Sequence, residues 1–102
     1  LALAVRAGVD PAKVCEALKG GFAGSPILEN HGKRMIEGDF RPGGKCVTQR
    51  KDMDQALELA ASLGLELPAT ALNRGLYDKL IADGDGELDH AALIKAIDHE
   101  NF

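Results

Sequence analysis

A chain of 102 residues has room for one domain with a single modest core. Aromatic residues make up only 4%, and no apolar run nears membrane-spanning length, which argues against a base-stacking nucleic-acid platform and against a transmembrane segment. The net charge of −4 is unevenly placed: Lys33 to Lys51 carries six of the twelve basic residues, and Asp83 to Glu100 carries six acids against Lys95, so a local anion site fits better than a polyanion-binding surface.

Ala and Leu dominate the apolar residues while Val, Ile and Thr are scarce, which predicts an all-α fold of five or six helices. Leu1 to Ala7 has no N-cap and no initiator Met; it reads as the last turns of a helix already under way, in a fragment of a longer protein. Gly8 suits a left-handed C-terminal cap. Asp10-Pro11 then restarts a helix as N-cap and first-turn proline, with Val14, Cys15 and Leu18 as its buried stripe and Gly20-Gly21 as its stop. Cys15 reads as a core residue, because no base or cation is arranged to lower its pKa.

Ser25-Pro26 repeats the start signal. The next helix places Ile27, Leu28, His31, Met35 and Ile36 on one face; Gly32 interrupts it and marks a close approach by a backbone or a ligand. His31 shares no metal-ligand spacing with another His, Cys or carboxylate, and reads as a hydrogen-bonded structural histidine. Arg41 to Leu57, RPGGKCVTQRKDMDQAL, opens on a Pro-Gly-Gly turn and carries Lys45, Arg50 and Lys51 before Asp52 enters a helix whose apolar positions, Met53, Ala56, Leu57, Ala60 and Leu63, recur at helical spacing. Cations beside free N–H groups at a helix start suit an anionic ligand; the same residues also read as a solvated face.

Gly64 ends that helix, and Leu67-Pro68 begins one with Leu72, Leu76, Leu80 and Ile81 facing inward. After Gly84 and Gly86, Asp89 caps a last helix carrying Ala92, Leu93, Ala96 and Ile97, followed by a polar tail. DGDGELD, Asp83 to Asp89, resembles part of a calcium loop, but Ile81 and Ala92 would stand where two of its oxygen ligands belong. The acidic cluster instead supplies helix-cap and first-turn carboxylates. The two cysteines, Cys15 and Cys46, form no metal pair and no disulfide framework, which predicts a reducing, cytoplasmic compartment. No dinucleotide fingerprint, Walker loop, CxxC, HExxH or nucleophile elbow is present.

In order along the chain, GGFAGSPILENHGKRMIEGDFRPGG, RKDMDQAL, LPATA and GELDHAALIKAI resemble the C-terminal helical domain of the β-hydroxyacid dehydrogenases. That family includes 3-hydroxyisobutyrate dehydrogenases and tartronate semialdehyde (2-hydroxy-3-oxopropionate) reductases, and the LDHAAL ending is most similar to the latter branch. The resemblance implies that residues 1–102 form an all-α domain of the 6-phosphogluconate dehydrogenase C-terminal-like type. It implies an N-terminal Rossmann domain binding NAD or NADP, an active-site cleft between the two domains, and a homo-oligomer. The activity implied is reduction of tartronate semialdehyde to D-glycerate, or turnover of a related 3-hydroxy acid such as 3-hydroxyisobutyrate.

The family's catalytic lysine would lie upstream of Leu1, so no catalytic residue is assigned. Lys51 matches the family lysine that contacts the cofactor at the cleft, and Asp52 matches its acidic neighbour. Gly44 departs from the family, which often carries an aromatic residue after Pro-Gly. The competing reading, from another class, is a free-standing helical module for protein interaction or oligomerisation, without a cofactor. An upstream Gly-rich fingerprint and a Lys-x-x-x-Asn helix would decide between the two.

Overall fold

The computed structural model describes all of residues 1–102. Five α-helices follow one another: α1 (Ala2–Arg6), α2 (Pro11–Lys19), α3 (Pro26–Glu37), α4 (Cys46–Ser62) and α5 (Pro68–Ala82). A 3₁₀ helix, His90–Ala96, takes the place of the expected last α-helix, and the chain forms no strand. The predicted all-α architecture is therefore observed.

The start and stop signals act as their chemistry requires. Asp10 accepts the Ala12 N–H and Ser25 accepts the Leu28 N–H, each just before a first-turn proline. Asp89 accepts the Ala91 N–H at the head of the 3₁₀ helix. Gly8, Gly64 and Gly84 follow helix ends with φ of 75°, 71° and 94°, values that favour glycine.

Three expectations need correction. Helix α4 begins at Cys46, six residues before Asp52, because its first two N–H groups, on Cys46 and Val47, donate to Leu88 O and Gly86 O. Helix α3 runs unbroken through Gly32; what comes close there is the Cys15 thiol of α2, and a Cβ on Gly32 would lie 3.0 Å from its sulfur. Leu18, expected in a buried stripe, and Leu72, expected to face inward, are exposed, and so are Ile27, Leu63 and Ile97 of the helical apolar patterns. Leu63 and Leu72 flank the turn of the α4–α5 hairpin, together with exposed Leu59, Leu65 and Leu67, and no other part of the chain covers that end.

The core is small and gathers around the 3₁₀ helix. Its Ala91, Ala92, Ile94 and Ala96 meet Tyr77 and Leu80 of α5, Cys46 of α4, Phe40 and Ala2. Short alanine side chains let the tight helix sit close beneath α3, α4 and α5, which all contact it. Cys15 lies outside this core, half-buried between α2 and α3. Arg6 of α1 grips Asp98 through two hydrogen bonds of 2.9 and 2.6 Å, tying the first helix to the end of the chain.

Candidate functional site

The loop ahead of α4 and the loop ahead of the 3₁₀ helix are sewn together by backbone. Cys46 N–H donates to Leu88 O, Val47 N–H to Gly86 O, Asp89 N–H to Phe40 O and His90 N–H to Gly44 O, all at 2.7–3.1 Å. Thr48 and Gln49 N–H both donate to Lys45 O. Every N–H of the first turn of α4 is therefore used, and the anion-binding helix start expected there does not exist.

The Pro-Gly-Gly turn does bind an anion, but one supplied by the chain itself. Asp89 is almost wholly buried. Its Oδ2 accepts the N–H groups of Gly43 at 2.9 Å and Gly44 at 3.2 Å, and its Oδ1 accepts Ala91 at 3.0 Å. Arg34 of α3 brings its guanidinium to 3.6 Å, while donating to Arg41 O at 2.6 Å. Burial pushes the Asp89 carboxyl up, but donation from Ala91, Gly43 and Gly44 and the Arg34 charge outweigh it and hold the group below its ordinary value. A Cβ on Gly43 would lie in ordinary contact with Oδ2, 3.4 Å away.

Above this carboxylate lies a hollow of about 430 Å³ lined by no hydrophobic residue and bordered by His31, Arg34, Gly44, Asp89 and His90. The His31 and His90 rings meet edge to face, 4.4 Å between centroids. His31 thus packs on another imidazole, and the hydrogen-bonded role expected for it is replaced by that contact. Burial lowers its pKa first, and the neighbouring His90 lowers it further. Tyr77 Oη donates to His90 O at 3.1 Å, and Cys46 Sγ donates to Asp89 O at 3.4 Å, so the backbone of this corner is held from below. Burial drives the Cys46 thiol up to about 11 and the Tyr77 hydroxyl up to about 12, which leaves both protonated and structural at neutral pH.

The basic stretch is not one site. Lys45 pairs with Glu87, and Arg50 is bound to Asp54 and Asp78 in a network that Arg74 completes across α4 and α5. Lys51 and Asp52 lie in the second turn of α4, not at its start, so the expected help from the helix N-terminus is absent. Their side chains form an ion pair of 2.9 Å, and both are more than half exposed. Lys51 is therefore the one cation of the three that is tied only to a sequence neighbour. The acids of the 83–89 loop divide in the same way: Asp89 caps, whereas Asp85 pairs with Lys95 at 2.7 Å and Glu87 with Lys45.

Sequence reading missed the Asp89–Gly43–Gly44 latch and the His31–His90 pair. The only local signal for either was Asp89 as a helix cap, because His31 and His90 come from opposite ends of the chain.

The profile described as NAD-binding of NADP-dependent 3-hydroxyisobutyrate dehydrogenase matches residues 1–97. The chain belongs to that family. It is 47% identical over 98 residues to the 2-hydroxy-3-oxopropionate reductase of Escherichia coli, covering 96% of this chain and 34% of that protein. A probable 3-hydroxyisobutyrate dehydrogenase-like protein of Arabidopsis thaliana is 38% identical over 101 residues, covering 99% of this chain and 30% of its own length. The crystal structure of a 3-hydroxyisobutyrate dehydrogenase from Salmonella typhimurium superposes with a TM-score of 0.87 at 26% identity, over 92% of this chain and 33% of that one. The chain thus spans about a third of the length of the 3-hydroxyisobutyrate dehydrogenase-family proteins that it matches. No helix is long and apolar enough to cross a membrane.

Proposed function

We propose that residues 1–102 are the C-terminal helical domain of an NAD(P)-dependent oxidoreductase that reduces tartronate semialdehyde to D-glycerate, its Rossmann domain lying N-terminal to this segment. The 47% identity to a 2-hydroxy-3-oxopropionate reductase carries the choice of substrate over 3-hydroxyisobutyrate, which the more distant relatives favour. When bound, the nicotinamide supplies the hydride, and the protein supplies position and charge.

In this reading Lys51 and Asp52 are the cofactor-side contribution of the helical domain. The Lys51 ammonium is solvent-facing and charged, which suits a cofactor phosphate or a substrate carboxylate across an interdomain cleft. Asp52 accepts from that ammonium at 2.9 Å and limits where it points. The proton donor in this reading is the lysine that the family resemblance places upstream of this segment. The leucines at the α4–α5 turn support a homo-oligomer in which that apolar end is covered. The free thiols of Cys15 and Cys46 support a cytoplasmic location.

The test is the full-length protein with tartronate semialdehyde and either NADH or NADPH, followed as loss of nicotinamide absorbance. Turnover at a kcat/KM well above that for 3-hydroxyisobutyrate supports the proposal. No oxidation of either cofactor would overturn it.

A further inference from the structure

The His31–His90 pair is not used by the dehydrogenase reading and stands independently of it. Both rings border the polar hollow and are partly open to solvent, and neither makes a hydrogen bond to the protein. One ligand atom each from His31, Asp89 and His90 lies within 4.8 Å of the other two. Two imidazoles and a carboxylate are the donor set that borderline divalent ions such as Zn²⁺ and Ni²⁺ prefer, whereas Mg²⁺ and Ca²⁺ take oxygen ligands.

We propose that His31, His90 and Asp89 form a binding site for a single borderline divalent transition-metal ion, with its remaining coordination positions open to the hollow. The donors are supported as metal ligands usually are. Asp89 is oriented by Gly43 and Gly44 through Oδ2, and Oδ1 accepts only the Ala91 N–H, which leaves it a free lone pair. The backbone of His90 is fixed by Tyr77 Oη and Gly44 O. His31 projects from the middle of α3, a 12-residue helix. Tetrahedral coordination at about 2.0 Å brings donor atoms to roughly 3.3 Å apart, so donor atoms now up to 4.8 Å apart must close by up to about 1.5 Å.

The donors, not the net charge, select the ion. Lys33 and Arg34 face Glu37, Asp39 and Asp89 around the hollow, and Arg41 pairs with Asp39, so the charges balance and Asp89 supplies the negative charge next to the imidazoles. The neutral imidazole is the form that ligates a metal. Arg34, 3.6 Å from Asp89, opposes the metal charge and makes the site one of moderate affinity. The ion therefore competes with protons, and binding weakens as the pH falls through the imidazole range.

Titration of the full-length protein with ZnCl₂ by calorimetry, alongside ¹³C-histidine NMR of the unaltered protein, tests this. The expected result is one Zn²⁺ per chain that perturbs the His31 and His90 ring signals at pH 7.5 and is weakened at pH 5.5. His31→Ala and His90→Ala, with helix content checked by circular dichroism, should each weaken that event about tenfold or more. His99→Ala, on the tail and outside the cluster, should leave it unchanged. Zn²⁺ that perturbs neither His31 nor His90, binding equal in wild type and both variants, or Mg²⁺ binding as well as Zn²⁺ would each overturn the site.

Discussion

Asp89 accepts the backbone N–H of Gly43 at 2.9 Å, across 46 residues of sequence, and this bond closes the corner on which the two histidines stand. The carboxylate lies in a nest of three N–H groups, so the two loops it joins cannot separate without exposing donors and a charge together.

Replacing Asp89 by Ala should therefore cost roughly 3 kcal/mol, because three donors lose their partner inside the protein. Asp89→Asn should lose less, keeping one acceptor but turning an amide N–H₂ toward N–H groups. The pH dependence has a definite sign. The folded-state pKa is lowered, so the contribution is present above the unfolded value of about 4 and is lost as the pH falls toward the folded one. Chemical denaturation between pH 3 and 7 checks this; wild type should lose stability below about pH 4 more steeply than Asp89→Asn.

Gly32 and Cys15 should be coupled. A Cβ at position 32 meets the Cys15 sulfur at 3.0 Å, so Gly32→Ala should gain little or lose stability in the wild type. In a Cys15→Ala background the same change should stabilise by up to about 1 kcal/mol, the helix propensity difference. Urea unfolding of the four proteins of the cycle measures this, and additive effects would refute it.

Asp54 holds Arg50 and Arg74 together between α4 and α5. Asp54→Ala should lower Tm, and the loss should shrink at 1 M NaCl, because the partners remain partly open to solvent. A loss independent of salt would show that packing, not charge, joins the hairpin.

The helix count, the caps at Asp10, Ser25 and Asp89, and the glycine stops were legible because each is local chemistry acting within one turn. The start of α4 was not, since what permits Cys46 to begin it is hydrogen bonding to Leu88 and Gly86, some 40 residues away. For the same reason Lys45 and Arg50 read as partners of Lys51, while Glu87 and Asp78 lie on distant segments and only Asp54, four residues beyond Arg50, is a local partner. The exposed leucines at the hairpin end kept a helical period without anything in this chain to bury them against. The Lys-Asp pair was visible as a motif, and its environment in three dimensions is an ion pair open to solvent.

The most direct measurement is steady-state kinetics of Lys51→Ala in the full-length protein, with tartronate semialdehyde and the preferred cofactor. If Lys51 supports bound cofactor or developing charge, kcat/KM should fall about 10²–10³-fold while stability changes by less than about 0.5 kcal/mol. Lys51→Arg should recover part of the loss, because a planar guanidinium does not replace a compact ammonium. Lys45→Ala is the control, as Lys45 spends its charge on Glu87; Arg50 is unsuitable, being bound into the hairpin network. Equal and small effects at Lys51 and Lys45 would show that Lys51 belongs to a solvated face, and would contradict its place at the cofactor.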